Sequence, residues 1–113
     1  MKALRTPIHI VFYREEQDWV AHCLEFDICG NGETKHQAAM SLVQAVQIQI
    51  EQSILHKNPG NLFSPADGKY FQMFAAGRNI ANGELKIHFD PIDSVIMDEP
   101  ESREYSDGDL VMA

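Results

Sequence analysis

Residues 34–58 read TKHQAAMSLVQAVQIQIEQSILHKN, and their spacing predicts one long helix around which the chain is organised. Thr34 opens it. Its hydroxyl can accept the N–H of Gln37, and the Gln37 amide can reach back to the N–H of Thr34. That reciprocal pair is a capping box, set here directly before an apolar run. Ala38, Leu42, Val46, Ile50 and Ile54 form an i, i+4 row, widened by Ala39, Val43, Ala45 and Leu55. No Gly or Pro interrupts before Asn58-Pro59-Gly60, which stops the helix. His56 and Lys57 bring positive charge to its carboxyl end, where the helix dipole favours it. About six turns of helix with one apolar face need a broad partner surface, and the segment before it supplies a small sheet.

Ile8 to Tyr13 alternates as a strand, with Ile8, Ile10 and Phe12 on one face and His9, Val11 and Tyr13 on the other. Arg14-Glu15-Glu16-Gln17-Asp18 is a polar turn, and Trp19 to Phe26 returns as a second strand with apolar residues on both faces. Asp27 turns the chain into a short third strand, Ile28-Cys29-Gly30. Asn31-Gly32 then has the composition of a tight turn with positive φ. Beyond the long helix, Ser64 as cap and Pro65 in the first turn predict a shorter helix carrying Tyr70, Phe71, Phe74 and Ala75, ended by Gly77. Asn82-Gly83 marks a turn, Glu84 to Phe89 alternates as a strand, Asp90-Pro91 breaks it, and Ser94 to Met97 fits a short strand or helical turn. The expected class is α+β: a three-stranded antiparallel sheet packed on one long helix, β-β-β-α-β, with a short second helix. Residues 1–97 form the domain, and residues 98–113 form an acidic tail outside the core.

The length of 113 residues and 44% hydrophobic content fit one domain with one modest core. No apolar run approaches a membrane span, and Met1 to Pro7 leads into no signal-peptide core. Two cysteines are too few for a disulfide scaffold, so the expected compartment is a reducing cytoplasm. The net charge of −8 is uneven. Nine acidic and eight basic residues balance up to Phe89, whereas eight acidic residues face Arg103 alone beyond it. A near-neutral body with an acidic tail argues against gripping phosphate backbones and favours a basic protein partner.

Several constellations have a chemical reading and a plainer one. His22 and Cys23 with Cys29, completed by His9 or His36, have the ligand types of a metal site, but the spacing matches no zinc knuckle. Cysteines on strands serve more often as small core residues. The same residues contain a Cys/His pair with neither an oxyanion loop nor an acid partner. Gly30-Asn31-Gly32 precedes a helix N-terminus, yet with Glu33 adjacent a hairpin turn is the better reading than an anion site. Tyr70, Phe71 and Phe74 have the composition of a base-stacking platform but the spacing of a helix core face. The expectation is therefore no catalytic residue, no cofactor and no metal.

The run WVAHCLEFDICGNGETKHQAAMSLVQAV, from Trp19 to Val46, resembles the HicB-like antitoxin family. That family's N-terminal module has a strand with an aromatic-Val-Ala start, a Pro-Glu-Leu-x-Gly-Cys loop, a Gly-Asp-Thr turn and a helix opening Thr-x-x-Glu-Ala. Trp19, Val20 and Ala21 match the strand, Glu25 and Cys29 the loop, Gly32 and Thr34 the turn, and Ala38 the helix. Leu24 replaces the usual Pro, Ile28 the Gly, Glu33 the Asp and Gln37 the Glu. The resemblance implies a non-enzymatic antitoxin-like protein of a type II toxin–antitoxin system, or an orphan relative. Such a protein binds and masks a small basic RNA-cleaving toxin and assembles as a homodimer or tetramer. Many members add a DNA-binding segment at the C-terminus, which the acidic stretch after Phe89 does not match. Partner contact would then fall on Trp19 and Glu25 of the motif and on Asp98, Glu99, Glu101 and Glu104 of the tail. The apolar strands, or the segment from Phe71 to Phe74, would form the contact between copies. A second expectation, a small RNA-binding or RNA-processing protein, comes from the likeness of this strand and helix order to double-stranded-RNA-binding folds.

Overall fold

The computed structural model describes residues 4–55, 64–80, 87, 89, 95–98 and 100–106. The chain runs β1 (Leu4–Thr6), β2 (His9–Glu15), β3 (Asp18–Cys23), β4 (Ile28–Gly32), α1 (Lys35–Leu55), α2 (Gly68–Ala76), β5 (Arg78–Asn79), β6 (Val95–Met97) and β7 (Glu101–Glu104). The class is α+β; the described residues form two helices and a five-stranded mixed sheet in the order β4-β3-β2-β7-β5. β1 and β6 form a separate parallel pair, Leu4 opposite Val95.

The expected hairpin is present and tighter than its sequence indicates. Glu15 pairs with Asp18, leaving a two-residue turn at Glu16 and Gln17. Glu16 takes φ 59°, a left-handed value of the sort that matches a hairpin turn to the twist of its strands. β3 ends at Cys23 rather than Phe26, and Asp27, with φ 54°, reverses the chain into β4. Asn31 and Gly32 do not form the expected turn. They extend β4, where Asn31 lies opposite Val20 and Gly32 opposite Trp19.

Helix α1 starts as its cap predicts. Gln37 N–H donates to Thr34 Oγ1 at 3.1 Å. The reciprocal bond lands one residue earlier, from Glu33 N–H to Gln37 Oε1 at 2.9 Å. Ala38, Ala39, Leu42, Val46 and Ile50 pack on the sheet face made by Ile8, Ile10, Phe12, Ala21 and Cys23. Ile54 and Leu55, expected in that stripe, are exposed instead. The expected stop at Asn58-Pro59-Gly60 lies outside the described residues. The helix sits unusually close to β4. A Cβ on Gly30 would stand 2.1 Å from the Leu42 backbone nitrogen and 2.5 Å from the Ala38 carbonyl oxygen, so only a glycine permits this approach.

The second sheet face is covered as well. α2 begins at Gly68 with Asp67 at its N-cap, not at Pro65, and Gly77 ends it as expected. Tyr70, Met73 and Phe74 pack with Tyr13 and Tyr105 around Val11, Leu24 and Ala66. β2 thus lies between two apolar layers.

The segment expected to be a tail contains the largest correction. Residues 101–104 form β7, parallel to β2 with His9 opposite Glu101 and Phe12 opposite Glu104, and antiparallel to β5. Its side chains toward α1 are Ser102 and Glu104, both buried. Polar inward positions conceal the strand from any reading of apolar alternation. The strand expected at 84–89 lies mostly outside the described residues, although Ile87 and Phe89 are buried in the core. No helix among the described residues is long and apolar enough to cross a membrane.

Candidate functional site

Strand alternation sends His9, Val11, Tyr13 and Glu15 of β2 to the α2 side, together with Val20 and His22 of β3 and Cys29 and Asn31 of β4. Two polar groupings result there. In the first, His22 is only 3% exposed and both of its ring nitrogens are engaged. Nε2 lies 2.8 Å from Asp27 Oδ1 and Nδ1 lies 3.2 Å from the Tyr13 hydroxyl. A carboxylate oxygen of Asp27 accepts from Nε2, and in the tautomer that carries its proton there Nδ1 is left to accept from the Tyr13 hydroxyl. Tyr70 closes over both, with ring centroids 4.3 Å from His22 and 5.9 Å from Tyr13.

Cys29 stands beside this chain, next to Tyr13. Partial withdrawal from water, with the charge of Asp27 nearby, pushes its thiol up to about 11. Burial likewise pushes the Tyr13 phenol well above its ordinary range. Both groups are held protonated at neutral pH, the reverse of what a nucleophile requires. The arrangement fixes the Asp27 turn and the sheet face; it does not activate a thiol.

The second grouping is the end of the hairpin. Glu15, Glu16, Asp18, Val20, Cys29 and Asn31 line a depression of about 430 Å³. Its charge is one-sided, because three of those six residues are carboxylates and none is basic. The nearest hairpin cation, Arg14, alternates to the opposite face, where its guanidinium stacks on Trp19 at 5.3 Å. Among the described residues, two features suit the depression to a positively charged chain segment: a lining with three carboxylates and no basic residue, and β4 as an edge strand of its sheet.

The residues expected to meet a partner are dispersed into two pairs on opposite faces. Trp19 and Glu104 lie on the α1 side, joined by Lys35. The Lys35 ammonium sits 5.2 Å from the Trp19 ring and 2.5 Å from Glu104 Oε1, while Arg78 holds Oε2 at 2.6 Å. Glu25 and Glu101 lie on the α2 side around His9, whose Nδ1 is 2.6 Å from Glu25 and whose Nε2 is 3.5 Å from Glu101. Asp98 is half-buried, its N–H donating to the Thr6 carbonyl at 2.9 Å. Glu99 lies outside the described residues. His22 and Cys23, the nucleus of the metal reading, point to opposite faces of β3. Among the described residues, no three His, Cys, Asp or Glu side chains are grouped to hold a metal ion.

Glu15, Glu16 and Asp18 were legible only as a polar turn. The signal in the sequence is the run REEQD at 14–18, whose carboxylates gather on one side only because the turn spans two residues. Comparison of the chain with family models, curated proteins and solved structures returns no match.

Proposed function

We propose that this protein is a non-enzymatic binding module of antitoxin type, and that it captures and masks a small basic, RNA-cleaving protein. The observation that carries the reading is the acid-lined depression at the end of the β2–β3 hairpin, flanked by β4, an edge strand among the described residues. A basic segment laid along that edge gains backbone hydrogen bonds from β4 and charge contacts from Glu15, Glu16 and Asp18. The resemblance of residues 19–46 to HicB-like antitoxins supports the same class of partner, as does the overall charge of −8. In this reading the chain works as an assembly of at least two copies, which presents the acidic site more than once.

The test is genetic and cheap. The candidate partner is the product of a small basic open reading frame beside this gene. Its expression alone should arrest growth, and co-expression of this chain should relieve the arrest and yield a complex that survives purification. Independent migration of the two proteins with no relief would sink the proposal. Retention of RNA on a filter at low salt by this chain alone would favour the RNA-binding alternative instead.

A further inference from the structure

Five large hydrophobic residues are exposed among the described residues, and four of them belong to α1. Met40, Ile48 and Leu55 are 50%, 59% and 70% exposed. With Gln44 and Glu51 between them they form one row at spacings of four, four, three and four, the spacing of a helix–helix seam. The row lies opposite the buried stripe of Ala38, Leu42, Val46 and Ile50, so it points away from the sheet. It covers about 22 Å of helix at the usual rise per residue. Its composition is as unusual as its exposure. Solvent faces of helices ordinarily carry charge, yet from His36 to Leu55 the only charged residue is Glu51, and the exposed polar positions are mostly glutamines.

We infer that this outer face of α1 is the contact between two copies of the chain, packed antiparallel about a two-fold axis at Ile48. The inference rests on the reading of the chain as an oligomer, but not on the identity of its partner. Charge selects the occupant. Most of the net charge of −8 lies beyond Phe89, so two copies repel one another chiefly through that region, and this nearly uncharged face keeps like charge out of the contact. A basic partner finds no carboxylate cluster here and finds one at the hairpin. Charge also selects the direction. A parallel pair would set Glu51 against Glu51. The antiparallel pair sets Ile48 on Ile48, Met40 on Leu55, and Glu51 on Gln44, whose amide can donate to the carboxylate. Of the contacts first expected, the strand faces and Phe74 are covered within one chain by α1 and α2, whereas Phe71 of the segment from Phe71 to Phe74 is 40% exposed but stands alone rather than in a row.

Light scattering on the full chain should give twice the 12.8 kDa of one copy. Ile48→Glu should weaken self-association at least about tenfold, equivalent to about 1.4 kcal/mol, and Phe71→Glu should leave it unchanged. In a Cys29→Ser background, Ile48→Cys should form a disulfide-linked dimer under mild oxidation, as should the double variant Met40→Cys/Leu55→Cys. A monomeric wild type would remove the oligomer reading altogether. A dimer that persists in Ile48→Glu, or an Ile48→Cys thiol that does not cross-link, would place the contact elsewhere while leaving oligomerisation standing.

Discussion

Single residues carry the helix start, the helix-to-sheet approach and one pH-dependent link. Thr34 Oγ1 satisfies the Gln37 N–H, so Thr34→Ala should lower stability by about 1 kcal/mol in chemical denaturation. An unchanged midpoint would mean that the cap contributes nothing. Gly30 leaves no room for a methyl group between β4 and the α1 backbone, and backbone cannot yield as a side-chain tip can. Gly30→Ala should therefore cost at least about 2 kcal/mol, measured the same way. Glu104 is held below the ordinary carboxylate value. Burial opposes its ionisation, but the hydrogen bonds and charges of Lys35 and Arg78 outweigh that. A depressed native value means that the unfolded chain takes up the proton first as pH falls. The contribution of Glu104 is thus complete above the ordinary 4.5 and is lost as pH drops through its lower native value. Wild type should be more stable than Glu104→Gln at neutral pH, and the difference should shrink below about pH 4.5 in a denaturation series. A gap that stays constant with pH would show that the carboxylate charge plays no part.

Among the elements, β7 departs furthest from its expected role. Its register beside β2 and β5 makes it an interior strand of the sheet, so truncation after Met97 should abolish the cooperative thermal transition followed by circular dichroism. A truncated chain melting like the full one would show that β2 needs no neighbour on that side. What was legible in the sequence follows the same division. Helix α1 and the β2–β3 hairpin announce themselves through a cap and strict apolar periodicity, which are local signals. β7 does not, because Ser102 and Glu104 occupy its inward positions and its place depends on pairing with β2 some ninety residues away in sequence, at His9–Glu101. Gly30 and Gly32 resemble turn residues when read locally, whereas their true role is to admit a helix that packs from outside. The acidic site was visible as composition in the REEQD run but not as a site, because its one-sidedness arises from the two-residue turn and from Arg14 pointing the other way. His22 and Asp27, only five residues apart, are linked locally, but across a turn whose left-handed residue is not a glycine, so no glycine marks it in the sequence.

At the scale of the whole molecule, charge and apolar surface are separated. Carboxylates line the end of the hairpin, with no basic residue among the described lining residues, while the outward face of α1 is apolar and nearly uncharged. The first surface suits a basic partner and the second suits another copy of the chain, so both can be occupied together. Attraction at the hairpin is electrostatic and solvent-exposed, and salt at physiological strength and above screens it strongly. The direct measurement is a sedimentation-velocity titration of the purified protein with the product of the neighbouring small basic open reading frame, at low and high salt. Wild type should co-sediment with that protein and bind more weakly as salt rises. Glu15→Lys/Asp18→Lys, folded by circular dichroism, should bind at least about tenfold more weakly. Undiminished binding by the charge-reversed variant, or no binding by the wild type at low salt, would contradict the assignment of the hairpin end as the partner site.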